Sequence, residues 1–180
     1  MATDFLALVQ RDHVDLQKEL TLLLDPIATA AQLRGSLDGV RLGLTAHAEA
    51  EDIVLGRFEK ISLLDALVAQ ARASHLAQES ALSALVSARP GTISWRERAC
   101  HLRDLVRHHA SQEEQYLVPG LRRHAPREMY NALAGAFATE RLRQLSMLQP
   151  SAPLYFPEIP EVPEVREARE IRMMADARAS

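Results

Sequence analysis

The chain has 180 residues, of which 47% are hydrophobic and 25% are charged, which suffices for one domain with a buried core. A net charge of -3 provides no basic surface for nucleic acid, and no continuous apolar stretch is long enough to cross a membrane. Alanine and leucine are abundant while aromatic residues make up only 4%, so the composition predicts an all-α protein. The single cysteine, Cys100, excludes an internal disulfide, and the N-terminus lacks a signal-peptide pattern, so we expect a cytoplasmic protein.

Caps and helix breakers divide the chain into five predicted helices. Ser62 with Asp65, and Ser94 with Glu97, have the spacing of an N-terminal capping pair, and Pro126 suits a first turn. The connections between the first four helices are short, which predicts an up-down-up-down four-helix bundle. The fifth helix is then an addition that packs outside the bundle or across one end. The predicted helices cover about residues 3–24, 32 or 36 to 60, 62–88, 94–119 and 126–149.

The sequence changes character after the fifth helix, and we expect a bundle over residues 1–149 and a tail over 150–180. The stretch QPSAPLYFPEIPEVPE has five prolines in sixteen residues, which predicts an extended linker. The final EVREAREIRMMADARAS has the pattern of a short helix with alternating glutamate and arginine. A solvated or loosely docked tail is the favoured interpretation, and a helix that binds a protein partner is the alternative.

Histidine interrupts the apolar face of each of the first four predicted helices. These histidines lie near the middle of their helices, and mid-helix residues of an antiparallel bundle meet in one layer. On the last three of these helices a glutamate follows one turn later, on the same face. Buried imidazoles and carboxylates cost free energy unless they are paired, and a pair of divalent metal ions would bind them all. The candidate metal ligands are His13, His47, Glu51, His75, Glu79, His109 and Glu113.

An internal repeat supports a metal centre with two related halves. One constant shift along the chain places the first two of these histidines on the last two, Glu51 on Glu113, and Asp52 on Glu114. A duplicated helix pair would bring equivalent ligands to both sides of a pseudo-twofold axis, which suits two metal ions bridged by two carboxylates. The mixture of imidazole and carboxylate ligands favours iron over manganese or zinc. Asp52 faces away from Glu51, and we expect it to be solvated.

The segments DHVDL, HAEAE, SHLAQE and HHASQEE, in this order on four helices, resemble the hemerythrin-like cation-binding domain over roughly residues 3–124. Members of that family are four-helix bundles with a non-heme di-iron centre that reacts with dioxygen. The resemblance implies two iron ions with an oxo or hydroxo bridge. It also implies that the four histidines are terminal ligands and that Glu51 and Glu113 are the bridging carboxylates.

Two positions depart from the oxygen-carrying members of the family. Those members have a fifth histidine one turn after the third, where this chain has Glu79, interpreted as a ligand or as a partner that orients an imidazole. The carriers also place the last bridging carboxylate five residues after its histidine, which here is Glu114, whereas the repeat favours Glu113. The chain therefore resembles the bacterial relatives that handle peroxide, nitric oxide or iron more than it resembles a reversible carrier.

The function expected from these patterns is a di-iron centre that reacts with or binds a small oxidant, namely hydrogen peroxide, dioxygen or nitric oxide. If the protein is an enzyme, the expected reaction is a catalase-like decomposition of peroxide. The alternative is an iron or oxygen sensor, in which metal occupancy stabilises the bundle and the 150–180 tail binds a protein partner. Neither hypothesis involves nucleic acid or a membrane.

Overall fold

The computed structural model describes residues 4–148, so the predicted tail at 150–180 lies outside the described residues. Within that range the chain is helical and contains no strand. The fourth predicted helix is one continuous helical run, in which a π-helical turn joins two α-helices. The helices are α1 (Phe5–Leu23), α2 (Ala30–Leu55), α3 (Asp65–Val86), α4 (Ile93–Gln112), the π turn (Glu113–Leu117), α5 (Val118–His124) and α6 (Arg127–Met147), with a short 3-10 turn (Gly56–Phe58) after α2.

The second helix begins earlier than the sequence pattern predicts. Its first residue is Ala30, whereas the predicted start was Gln32 or Ser36. The reason is a capping box in which the Thr29 hydroxyl accepts from the Gln32 backbone N–H, and the Gln32 side chain accepts from the Thr29 backbone N–H. This box satisfies two of the backbone donors that a helix start leaves unpaired.

Two predicted caps are wrong. The third helix begins at Asp65 with no side-chain cap, so Ser62 lies in the turn before it. The fourth helix is capped by Thr92, whose hydroxyl accepts from the Trp95 backbone N–H at 3.2 Å, and Ser94 lies inside the helix. In both cases several hydroxyl or carboxyl side chains stood close together in the sequence, and the pattern alone did not separate them.

The first four helices form the predicted bundle. α1 packs against α2 and α4, and α3 packs against α4 and α2, as expected for neighbours joined by short connections. The α3–α4 turn contains Gly91, whose positive φ of 78° suits glycine. α6 packs outside the bundle against α2 and α1, where Phe137 contacts Phe5 with ring centroids 5.5 Å apart.

The hydrophobic core consists of two clusters, one on each side of the mid-helix histidines. One cluster includes Leu16, Leu44 and Leu82, and the other includes Val9, Val54 and Val68. The histidines therefore occupy a polar layer between two apolar ones. None of the helices in residues 4–148 is long and apolar enough to cross a membrane.

Candidate metal centre

The four predicted histidines and two of the predicted glutamates converge in the middle of the bundle. All six side chains are buried, with no residue more than 4% exposed. Their ligand atoms form two overlapping quartets, in each of which all atoms lie within 4.8 Å of one another. The internal repeat exchanges the two quartets, as the predicted pseudo-twofold axis requires. The quartets are His13, His47, His109 and Glu113, and His47, Glu51, His75 and His109.

Glu113 occupies one side of this cluster. Its Oε2 lies 3.0 Å from Nε2 of His13, 3.3 Å from Nε2 of His109 and 3.8 Å from Nε2 of His47. Three imidazole nitrogens from three helices therefore surround a single carboxylate oxygen.

Glu51 occupies the related position on the other side. Its Oε2 lies 3.2 Å from Nε2 of His75, 3.7 Å from Nε2 of His47 and 3.9 Å from Nε2 of His109. When the repeat exchanges the partners, each of these distances is close to its counterpart around Glu113. The two halves of the centre therefore have nearly equivalent arrangements of ligand atoms.

The inward-facing atoms fit a metal centre because many of them lie close together without forming hydrogen bonds. Among residues 4–148, no hydrogen-bond partner is found for Nε2 of His13 or His47, or for any carboxylate oxygen of Glu51 and Glu113. Unpaired buried groups of this kind cost free energy, and divalent ions bound between them would remove that cost. The donor set of imidazoles and carboxylates suits a borderline transition metal.

The π turn begins at Glu113 and contains both Glu113 and Glu114, the two alternatives for the last bridging carboxylate in the sequence analysis. The Val118 backbone N–H donates to the Glu113 carbonyl, five residues earlier. π turns of this kind occur frequently at functional sites. Glu113 faces Nε2 of His13 inside the cluster, whereas Oε1 of Glu114 lies 2.9 Å from Nδ1 of the same ring. Glu113 is thus placed as the inner carboxylate, and Glu114 orients the imidazole.

Asp52 has the role that the repeat assigns to its counterpart Glu114. Its Oδ1 lies 2.8 Å from Nδ1 of His75, so the prediction that Asp52 is merely solvated is wrong. Carboxylates in this position fix the orientation and tautomer of an imidazole ligand. The coincidence of Asp52 with Glu114 in the repeat was the signal that could have revealed this shared role.

Glu79 does not join the cluster, and its prediction as a metal ligand is corrected by the structure. The side chain is exposed on α3, while Gln78 is 1% exposed and occupies the buried face. Gln78 and Glu79 follow His75 by three and four residues, and on an α-helix these two positions lie to either side of the His75 direction. The spacing alone was therefore compatible with either residue facing the cluster. The buried face turns towards Gln78, which the sequence analysis did not single out.

A third carboxylate, that of Asp12, lies beside an imidazole of the cluster and was not predicted from the sequence. Asp12 is buried, and its Oδ2 lies 3.4 Å from Nδ1 of His47. The same oxygen accepts from Nε of Arg141 on α6 at 2.5 Å. α6 thereby reaches the centre through a chain of two polar contacts, and Phe137 of the same helix packs edge-on against the His47 ring. The separation of 129 residues between Asp12 and Arg141 explains why no local pattern indicated this pair.

Among the described residues, no carboxylate orients the imidazole of His109 in this way. Its Nδ1 is buried and has no hydrogen-bond partner among residues 4–148. The repeat places Ser74 where the first half has Asp12, and Ser74 and His109 both line a cavity of about 10 Å³. That volume is near the lower limit for one water molecule. The two halves of the centre therefore differ in the groups that surround their shared ligands.

The pKa shifts in the cluster also differ between the helix pairs α1–α2 and α3–α4. Burial raises the pKa of Glu113, and the neighbouring Glu51 carboxylate raises it further. Burial opposes the charge on Glu51 as well, but contacts with Glu113 and His75 lower its pKa overall. Burial likewise opposes the charge on His75, yet Asp52 and Glu51 raise its pKa to about 9.

Two further histidines of the cluster, His13 and His109, resist protonation. Burial lowers the pKa of His13, and the neighbouring His47 adds to this effect. Burial also lowers the pKa of His109, to about 2. Without metal, protonation is therefore favoured most at His75 and Glu113, both in the second half of the bundle.

Comparison with known proteins identifies the family. The sequence model of the Hemerythrin HHE cation binding domain matches residues 4–121, which is more than half of the chain. The chain belongs to this family, and its histidine and glutamate clusters form a candidate metal-binding site. No curated protein and no solved structure matches the chain significantly. The match ends within α5, so α6 with Arg141 lies beyond the matched residues.

Proposed function

We propose that this protein binds two iron ions in the mid-bundle cluster and that the centre reacts with or binds a small oxidant, namely hydrogen peroxide, dioxygen or nitric oxide. The observation that supports it most is the pair of equivalent quartets, each with three imidazoles and one carboxylate. His13 and Glu113 would hold one ion, His75 and Glu51 the other, and His47 and His109 lie within reach of both. Iron in such a site supplies electron-transfer chemistry towards small oxidants.

A route for small molecules supports a reactive centre rather than a closed structural one. A cavity of about 130 Å³ lies between α2 and α3 and is lined by Asp52 and His75 together with apolar side chains such as Leu44 and Leu82. The exposed Glu49 and Glu79 lie at its outer edge. A cavity of this size admits peroxide or a diatomic gas and excludes larger metabolites.

The first test is metal loading followed by exposure to the oxidant. Protein loaded anaerobically with ferrous iron is expected to retain about two irons per chain and to develop near-ultraviolet absorption on exposure to air or peroxide. Gas release during peroxide exposure would identify a catalase-like activity, while a spectral change without turnover would identify binding. A chain that retains no iron and melts at an unchanged temperature would contradict the proposal.

Two neighbouring histidines provide a matched control for this test. His109 is buried in the cluster and His108 is exposed on the same turn of α4. We expect H109A to lose iron and the absorption bands, whereas H108A retains both. Equal loss in both variants would indicate that the helix, rather than a ligand, had been disturbed.

The second candidate function, an iron or oxygen sensor, is favoured by one observation. Arg141 of α6 contacts Asp12, which in turn supports His47, so a change in the position of His47 would reach a helix outside the bundle. α6 ends at Met147, shortly before the 150–180 segment. Limited proteolysis with and without iron separates the hypotheses, since a sensor should show iron-dependent cleavage after α6 and a simple oxidant-binding protein should not.

A further inference from the structure

Gln78 is a buried amide that the metal ligands do not explain. The residue is 1% exposed, and neither its Nε2 nor its Oε1 has a hydrogen-bond partner among residues 4–148. A buried amide without partners is unfavourable, because folding removes its hydrogen bonds to water and returns none. A group outside the described part of the chain is therefore the natural partner of Gln78.

The position of Gln78 places it next to the metal centre. Successive residues of an α-helix are about 100° apart, and on this basis Gln78 lies near the middle of the buried face of α3. It follows His75 by three residues, which is one turn along the helix. Its side chain consequently faces the bundle interior on the side of the centre where the Leu16 and Leu44 cluster begins.

The surroundings at this level of the bundle are otherwise apolar. Moving one turn from His13, His47 and His109 in the same direction leads to three buried hydrophobic residues, which are Leu16, Leu44 and Val106. The internal repeat places Gln78 on Leu16, so the first half of the bundle has leucine where the second half has an amide. The amide thus distinguishes one side of an otherwise equivalent pair of metal positions.

We infer that Gln78 hydrogen-bonds a small molecule held in the metal centre and so determines in part which molecules bind there. The inference rests on the proposed function and adds to it a specificity-determining residue. The amide NH₂ donates to an electronegative atom of the bound molecule, and the apolar neighbours exclude competing water. Small anions and oxidants with a free lone pair fit this donor, whereas molecules without an acceptor atom gain nothing from it.

The test compares three substitutions in the full chain loaded with iron and oxidised to the ferric state, with azide as the probe. Q78M keeps the length of the side chain and removes its hydrogen-bonding groups, and Q78L is a second apolar replacement if the first disturbs packing. Q70M is the matched control, because Gln70 is an exposed glutamine on the same helix. Azide affinity, iron content and the melting temperature of the metal-free protein are measured for each.

We expect Q78M and Q78L to retain two irons, to bind azide about tenfold more weakly, and to melt at a higher temperature without metal. Q70M should leave all three measurements unchanged. Unchanged azide affinity in a Q78M protein of raised melting temperature would overturn the inference, as would loss of an iron, which would make the amide a metal ligand. If the wild-type chain binds no iron, the proposed function fails first and this inference with it.

Discussion

The helix pair α1–α2 and the helix pair α3–α4 present nearly identical ligands to the centre, yet they support those ligands differently. In the first pair, Asp12 and Arg141 support the outer nitrogen of His47. In the second pair, the corresponding nitrogen of His109 has no partner among residues 4–148. α6 covers the first pair, and the repeat replaces Asp12 with Ser74 in the second.

The difference indicates that the duplicated bundle has become a centre with one supported and one open side. On the supported side, the helix pair α1–α2, Asp12 holds the imidazole of His47, and the pKa values of His13 and Glu51 are lowered. On the open side, the helix pair α3–α4, the pKa values of His75 and Glu113 are raised, a cavity reaches His75, and the amide of Gln78 has no partner among residues 4–148. The proposed metal position at His75 and Glu51 lies beside this cavity and amide, so we expect it to differ in access and affinity from the proposed position at His13 and Glu113.

The largest effect is expected from removing either inner carboxylate. E51Q and E113Q should each weaken metal binding by more than about 100-fold, since even substitutions of groups that only orient a ligand cost about 10- to 100-fold. Without metal, E113Q should not lower the melting temperature, because a neutral amide replaces a buried carboxyl group whose negative charge is opposed by both burial and Glu51. Calorimetric titration and thermal melting check both statements, and E97Q, an exposed glutamate on α4, is the control.

Acidification is expected to weaken metal binding through the second half of the bundle. Metal ligands must be deprotonated, whereas the pKa of His75 is raised to about 9 and that of Glu113 is raised well above its ordinary value. Metal uptake at pH 7 should therefore release at least about one proton per chain, from His75, and affinity should rise as the pH approaches 9. Titrations in buffers of different ionisation enthalpy measure this release, and uptake without proton release would contradict the assignment.

A smaller effect is expected from the supports of His47. D12N should weaken metal binding about 10- to 100-fold, and R141Q should weaken it about tenfold, because each loosens the orientation of one imidazole. R143Q is the control, since Arg143 pairs with the neighbouring Glu140 on the exposed face of α6. A role in folding alone would lower the melting temperature of metal-free R141Q and leave its metal affinity unchanged.

The smallest effect is expected from adding a carboxylate near Nδ1 of His109, which has no partner among residues 4–148. S74D places a carboxylate where the repeat has Asp12, in the cavity that His109 lines. We expect metal affinity to increase about two- to fivefold, because the added partner orients the imidazole and raises its basicity. Equilibrium competition with a chelator resolves a change of this size. A decrease in affinity would show that the open side of His109 is needed as it stands.

The fold and the convergence of the inner histidines and glutamates could be predicted because they follow local periodicity. Histidines at helical spacing on apolar faces, repeated at a fixed shift, indicate one layer of a bundle without knowledge of the packing. The prediction of Glu79 as a metal ligand was wrong because three- and four-residue steps are both compatible with one helix face. The residue that faces the centre depends on how α3 is rotated against its neighbours. Arg141 and Asp12 could not be paired from the sequence, because only the docking of α6 brings them together.

We propose that two equivalent sets of candidate ligands form two unequal metal positions, and anaerobic calorimetric titration with ferrous iron tests this most directly. We expect two ions per chain, bound in two resolved steps of different affinity. In D12N both steps should weaken, because His47 lies within reach of both proposed positions. Binding of a single ion, or of two ions in one indistinguishable step, would contradict it.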